Sequence, residues 1–168
     1  VDVKVQTVEE EPRSDNFKKV VRLDAQSEND FKTSTVRKLY QWWDGHKPHL
    51  PAREDFDISR HWSIASSLYL IEAISPGQYL HRLNGENVVS IIGVSLRGHA
   101  ISVNSPLPEL RRLATYLDGL VEQKKPGRCT GIVEYLGVEN TNFETVDCPL
   151  LRKDGSVGFI LGALSLVD

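Results

Sequence analysis

The stretch RCTGIVEYL (128–136), followed by FETVDCPLL (143–151) and VGFILGALSLV (157–167), reads as three successive strands. Each is rich in β-branched and aromatic residues, and turn-forming segments separate them, Gly137–Asn142 first and Lys153-Asp154-Gly155-Ser156 second. Cys129 and Cys148 fall in the first two of these strands. A turn centred near Val138–Glu139 sets them directly opposite, about 4.5–5.5 Å apart at Cα. A slip of one residue sets Phe143 opposite Tyr135 instead. Sequence does not choose between these registers, so pairing of Cys129 and Cys148 stays open, with two reduced, packed thiols the plainer expectation.

Upstream lies the clearest helix. Leu107, Leu110, Leu113, Ala114, Leu117, Leu120 and Val121 trace one apolar face. Ser105 is its expected cap, Pro106 suits its first turn, Lys124 and Lys125 sit at the negative end of its dipole, and Pro126–Gly127 stop it. Before it, the runs Leu68–Ile74 and Gln78–Asn84 flank Ser75-Pro76-Gly77 and read as a hairpin. Asn87–Gly93 is short and apolar and suits one buried helical turn. Further upstream, Ser27 and Asp30 resemble a capping box ahead of Phe31, Thr35, Leu39 and Trp43, which recur every four residues. A helix of about four turns is expected there, ending at Gly45. Trp42 and Trp43 cannot face the same way on a helix, so one belongs to the core and the other closes over something else. The chain then divides into an N-terminal arm (1–30, flexible or packed on a partner), a helix and connector (31–66), and a core (67–168).

The order helix, two strands, helices, three strands resembles the PAS fold. Local motifs sharpen the resemblance: Leu39-Tyr40-Gln41-Trp42-Trp43, Leu50-Pro51-Ala52-Arg53, Arg82-Leu83-Asn84-Gly85, Pro149-Leu150, Asp154-Gly155 and Leu161-Gly162. In that order they are similar to the alphaproteobacterial single-PAS family that begins with a Trp-containing helix. The resemblance implies an α+β domain with a five-stranded antiparallel sheet, helices on one face, an N-terminal helical extension, and a pocket between sheet and helices. His81 departs from the pattern, standing where the family tends to carry an aromatic.

Composition narrows the function. The 168 residues carry 20 Lys+Arg against 23 Asp+Glu, a net charge of −3, which offers no basic surface for nucleic acid. No apolar run approaches the length of a membrane span. With two cysteines there is no cystine framework, and a cytoplasmic setting is the expectation. His46 and His49 have metal-like spacing without a clear third ligand. No nucleophile elbow, phosphate loop or Cys-x-x-Cys motif is present, so no enzyme is expected. Haem and flavin are disfavoured too, because the pocket histidine lies on the second strand and the reactive-cysteine helix motif of light sensors is missing.

The expected ligand-facing residues are Tyr69, Ile71, Tyr79, His81 and Leu83 from the first two strands. The helices add Ile91, Ile92, Leu113 and Leu117, and the third strand adds Val133 and Tyr135. Together they describe an apolar interior with a few hydroxyls and an imidazole. The function expected is a stand-alone sensory and interaction module, homodimeric through the arm and first helix, that binds a signalling partner and a small apolar or aromatic ligand. The rival is a cyclase- or isomerase-like enzyme using His81, Tyr79 and Asp147 as acid–base groups. It requires His81 and a carboxylate to converge.

Overall fold

The computed structural model describes residues 8–9 and 13–168. Its elements run in the order β1 (Val8–Glu9), β2 (Phe17–Asp24), α1 (Ser34–Asp44), β3 (Leu68–Ser75), β4 (Gln78–Asn84), α2 (Glu86–Ile92), β5 (Ala100–Ser102), α3 (Pro108–Gln123), β6 (Gly127–Tyr135), β7 (Val138–Leu151) and β8 (Val157–Val167). The strands form one sheet in the order β1-β2-β6-β7-β8-β3-β4-β5, antiparallel throughout. The three C-terminal strands are neighbours and lie beside the β3–β4 hairpin, as their composition suggests. The sheet is nonetheless wider than five strands. The three-residue β5 extends it beyond β4, and β2, with the two-residue β1, extends it beyond β6.

Strand β2 corrects the reading of the first 30 residues as an arm. Its backbone pairs with β6 from Phe17↔Val133 to Asp24↔Gly127, and Val20 and Arg22 are buried beneath it. Val20, Val21 and Leu23, an apolar strip set among charges, belong to a strand whose alternate residues face inward. Residues 1–7 and 10–12 lie outside the described residues.

Helices cover both faces, not one. Alternation along β7 shows why: Phe143, Thr145 and Asp147 point to one side, while Glu144, Val146, Cys148 and Leu150 point to the other, and all are buried. On the first, inner side, Phe143 and Ile71 pack with Val88 and Ile92 of α2 and Leu117 and Leu120 of α3. On the outer side, Val146, Cys148 and Leu150 pack with Val36, Leu39, Tyr40 and Trp43 of α1. A strand buried on both faces keeps no polar side, and β7 reads as a continuous buried run from Phe143 to Leu150.

Helix α1 starts later than its stripe suggests. Ser27 does form a capping box with Asp30, but it heads a single 3-10 turn, Glu28–Asp30, after which Phe31 is extended. The α-helix begins at Ser34 with Thr33 as N-cap and ends against Gly45. Its entry is held by the buried Glu144 carboxylate, which accepts from the Lys32 N–H (3.0 Å), the Thr33 N–H (2.7 Å) and the Thr33 hydroxyl (2.6 Å). Trp43 turns to the sheet, donating from Nε1 to the Pro149 carbonyl at 2.9 Å. Trp42 flanks the connector, edge-on to Phe56 at 4.9 Å. The pair divides its work as the sequence requires. Helix α3 starts at Pro108 rather than at Pro106, and Ser105 Oγ accepts from the Leu107 N–H just ahead of it.

The register of β6 and β7 settles the cysteines. Leu136 and Gly137, both with positive φ, make a tight turn, so β7 begins at Val138 where a loop was expected. Together with a bulge, this pairs Cys129 with Thr145 and Phe143 with Gly131, neither of the registers anticipated. Cys129 packs on the inner face and Cys148 on the outer, and both are free thiols. Burial raises both, Cys129 to about 11.

Candidate functional site

Between the inner face of the sheet and helices α2 and α3 lies a cavity of about 460 Å³. Most of its wall is hydrocarbon, drawn from Ile71, Val88, Ile92, Ile101, Leu113 and Leu164. Phe17 and Val20 of β2 close one side, and residues 13–15 run along the rim. Asn16 ties that rim down. Its backbone N–H donates to the Ile92 carbonyl (2.9 Å), its side-chain amide donates to the Ile91 carbonyl (3.1 Å), and its own carbonyl accepts from the Glu134 N–H (2.9 Å).

Polar groups gather on one part of the wall. The buried Asp147 carboxylate accepts from the hydroxyls of Tyr69, Tyr116 (2.7 Å) and Thr145 (3.2 Å). Tyr69 reaches it because its strand partner on β8 is Gly162; a Cβ there would collide with the Tyr69 ring. Burial is the largest influence on Asp147 and raises its pKa, against the three hydroxyl donors and the Arg22 charge, which lower it. Burial likewise lifts Tyr69 and Tyr116 well above the ordinary tyrosine value, with the Asp147 charge second. The Arg22 guanidinium lies 5.5 Å from the centre of the Tyr116 ring. This floor is a donor network around one carboxyl group, with a cation beside it.

His81 is the other polar feature. It is only 6% exposed, it lines the cavity, and neither ring nitrogen has a hydrogen-bond partner among the described residues. Desolvation, with a lesser push from His99, lowers its pKa from 6.5 to about 4, so the ring is neutral at physiological pH. At the mouth stand the exposed His99, Glu109, and the paired Arg13 and Asp15 at 2.9 Å.

Of the residues expected to face a ligand, Tyr69, Ile71, His81, Ile92 and Leu113 line the cavity. Ile91, Leu117 and Val133 are buried core behind it. The Tyr79 hydroxyl is committed to Asp118 at 2.5 Å, and burial raises its pKa. The Tyr135 hydroxyl lies 3.2 Å from Ser90 Oγ, away from the cavity. Leu83 is 46% exposed because a bulge between Leu70 and Ile71 pairs Ile71 with His81 and Leu70 with Leu83, which turns Leu83 off the inner face. Arg22, Phe17 and Val20 were missed with the strand that carries them, and Tyr116 because it sits beside the leucine stripe of α3 rather than on it.

The acid–base set does not assemble. Among the described residues, His81 hydrogen-bonds to no carboxylate, the Tyr79 hydroxyl is held by Asp118, and Asp147 is enclosed by Tyr69, Tyr116 and Thr145. Among the described residues, no three His, Cys, Asp or Glu side chains are grouped to hold a metal ion, and no helix is long and apolar enough to cross a membrane.

A family model described as a PAS domain matches residues 31–165. No curated protein matches the chain, and no solved structure does.

Proposed function

The chain belongs to the PAS-domain family, and from that premise we propose that it is a non-catalytic sensory and interaction module whose cavity takes a small apolar or aromatic molecule and whose outer face signals occupancy to a partner protein. One observation carries the reading: a cavity of about 460 Å³, apolar with a few convergent polar groups, which is the size and chemistry of a small-molecule site.

Strand β7 connects the cavity to the outside. Thr145 and Asp147 face the cavity, whereas Glu144 holds the start of α1 and the Pro149 carbonyl holds Trp43. A ligand that prefers one setting of β7 shifts the population of α1 arrangements, and α1 with its connector presents a different surface to the partner. Self-association as a homodimer belongs to the same reading. The apolar face of α1 and the inward residues of β2 are spent within the chain, so the support for it is the exposed Trp62 and Ile58 of the connector instead. The reading needs no haem or flavin. A cytoplasmic setting goes with it and is supported by the two unpaired cysteines. The narrower likeness to the alphaproteobacterial single-PAS family rests on the Leu50-Pro51-Ala52-Arg53 and tryptophan motifs.

The test is a panel of small aromatic metabolites screened by thermal shift and native mass spectrometry, with amide NMR on each hit. Binding should move the Lys32 and Thr33 amide signals as well as those of Thr145 and Asp147. A panel without a single binder sinks the cavity reading; a binder that leaves the α1 amides unmoved sinks the relay.

A further inference from the structure

The proposal here rests on the cavity reading above and narrows what enters. Apart from Glu109, half-buried at the mouth, the charged groups around the cavity are already engaged. Arg13 and Asp15 pair at the rim, Arg22 is engaged within the protein, and Asp147 is enclosed by three hydroxyl donors and feels the Arg22 charge. An ion seated in the apolar part of this space, against Ile71, Ile92 and Leu113, would give up its water shell to hydrocarbon, which is unfavourable. His81 is the contrasting case: more than nine-tenths buried, on the cavity wall, with both ring nitrogens unpartnered among the described residues. A neutral imidazole presents one N–H donor and one lone pair, and a buried polar group left unmatched is destabilising until something pairs with it.

We propose that the cavity selects an uncharged, ring-containing metabolite bearing a hydroxyl or amide-type group, which exchanges a hydrogen bond with His81 while its ring lies against Ile71, Ile92 and Leu113.

The test uses the full chain and three probes of like shape: 2-naphthol, neutral and hydroxylated; naphthalene, with no polar group; and 2-naphthoate, an anion. Calorimetry gives each affinity, and the ¹⁵N signals of labelled histidine report on His81 itself. 2-Naphthol should bind about tenfold more tightly than either other probe and should move the His81 ring signals. His81→Leu should remove its advantage over naphthalene while naphthalene still binds, and His81→Gln, which keeps a donor and an acceptor, should retain most of it. Equal affinities for 2-naphthol and naphthalene, or preference for 2-naphthoate, would overturn the selection rule and leave the cavity reading standing. Failure of all three probes to bind the folded wild-type chain would overturn both.

Discussion

Acidification should weaken the fold through His81, and the size of the effect follows from its burial. Its pKa in the folded chain is about 4, against 6.5 for the exposed side chain. Above pH 6.5 the ring is neutral in both states and contributes nothing to pH dependence. Between pH 6.5 and 4 the unfolded chain takes up a proton that the folded chain refuses, so stability falls as pH falls, and the loss levels off below about 4. Across that window the separation is worth about 3 kcal/mol. Asp147 acts in the opposite sense, because its raised pKa makes the folded chain take up a proton first. Asp15, His99 and Glu109 face the same space. The comparison that isolates His81 is therefore wild type against His81→Leu, in which those other contributions cancel. Urea unfolding followed by tryptophan fluorescence, repeated from pH 7.5 to 4, gives the difference in stability at each pH. The wild type should lose about 2–3 kcal/mol relative to the variant over this range. A difference that stays flat would show that His81 is solvated or paired, and the reasoning from its burial would be refuted.

Trp43→Phe should cost about 1–3 kcal/mol in urea unfolding, because it leaves the buried Pro149 carbonyl without its indole donor. Glu144→Gln should cost a similar amount, since an amide offers one oxygen to three donors; hydrogen exchange at Lys32 and Thr33 should speed up more than at α3. In Gly131→Ala, the new Cβ would run into the Lys19 carbonyl at φ 156°, so β2 should detach from β6. Exchange protection lost first along residues 17–24 is the expected sign, and unchanged protection there would contradict the pairing. Folded protein left in air should still yield two titratable thiols, Cys129 and Cys148, when it is then denatured without oxidant, and should melt at the same temperature with and without reductant, because the two lie on opposite faces of the sheet.

The local elements of the fold were legible because each depends on near neighbours. The leucine stripe of α3, the divided roles of Trp42 and Trp43, the Asp154-Gly155 turn and the short apolar α2 all follow from side-chain period or from turn chemistry within a few residues. The site was less legible. Tyr69, Ile71 and His81 reach the cavity in step with strand alternation, and Ile92 and Leu113 from the apolar faces of α2 and α3, yet Leu83, only two residues beyond His81 on the same strand, does not. One bulge changes the phase: Arg82 is an extra residue of β4 between His81 and Leu83, opposite the single step from Leu70 to Ile71, and no turn-forming residue marks it. Arg22 was invisible for a related reason. A lone arginine among charges looks solvated until the strand bearing it is laid against β6.

Sequence by itself determined the three α-helices and the strands β3, β4, β6, β7 and β8 in outline, that the three C-terminal strands neighbour one another, and that the domain is of PAS type. It also placed His81 on a strand facing inward. Tertiary structure alone decided that β7 is covered on both sides, that Cys129 faces Thr145 rather than Cys148, and that an N-terminal strand completes the cavity wall. The physical reason is range. Helical period and turn geometry are set within a few residues, whereas the width of the sheet depends on pairing between distant segments such as β2 and β6. Register turns on bulges, where one extra residue reverses the face that every following side chain presents.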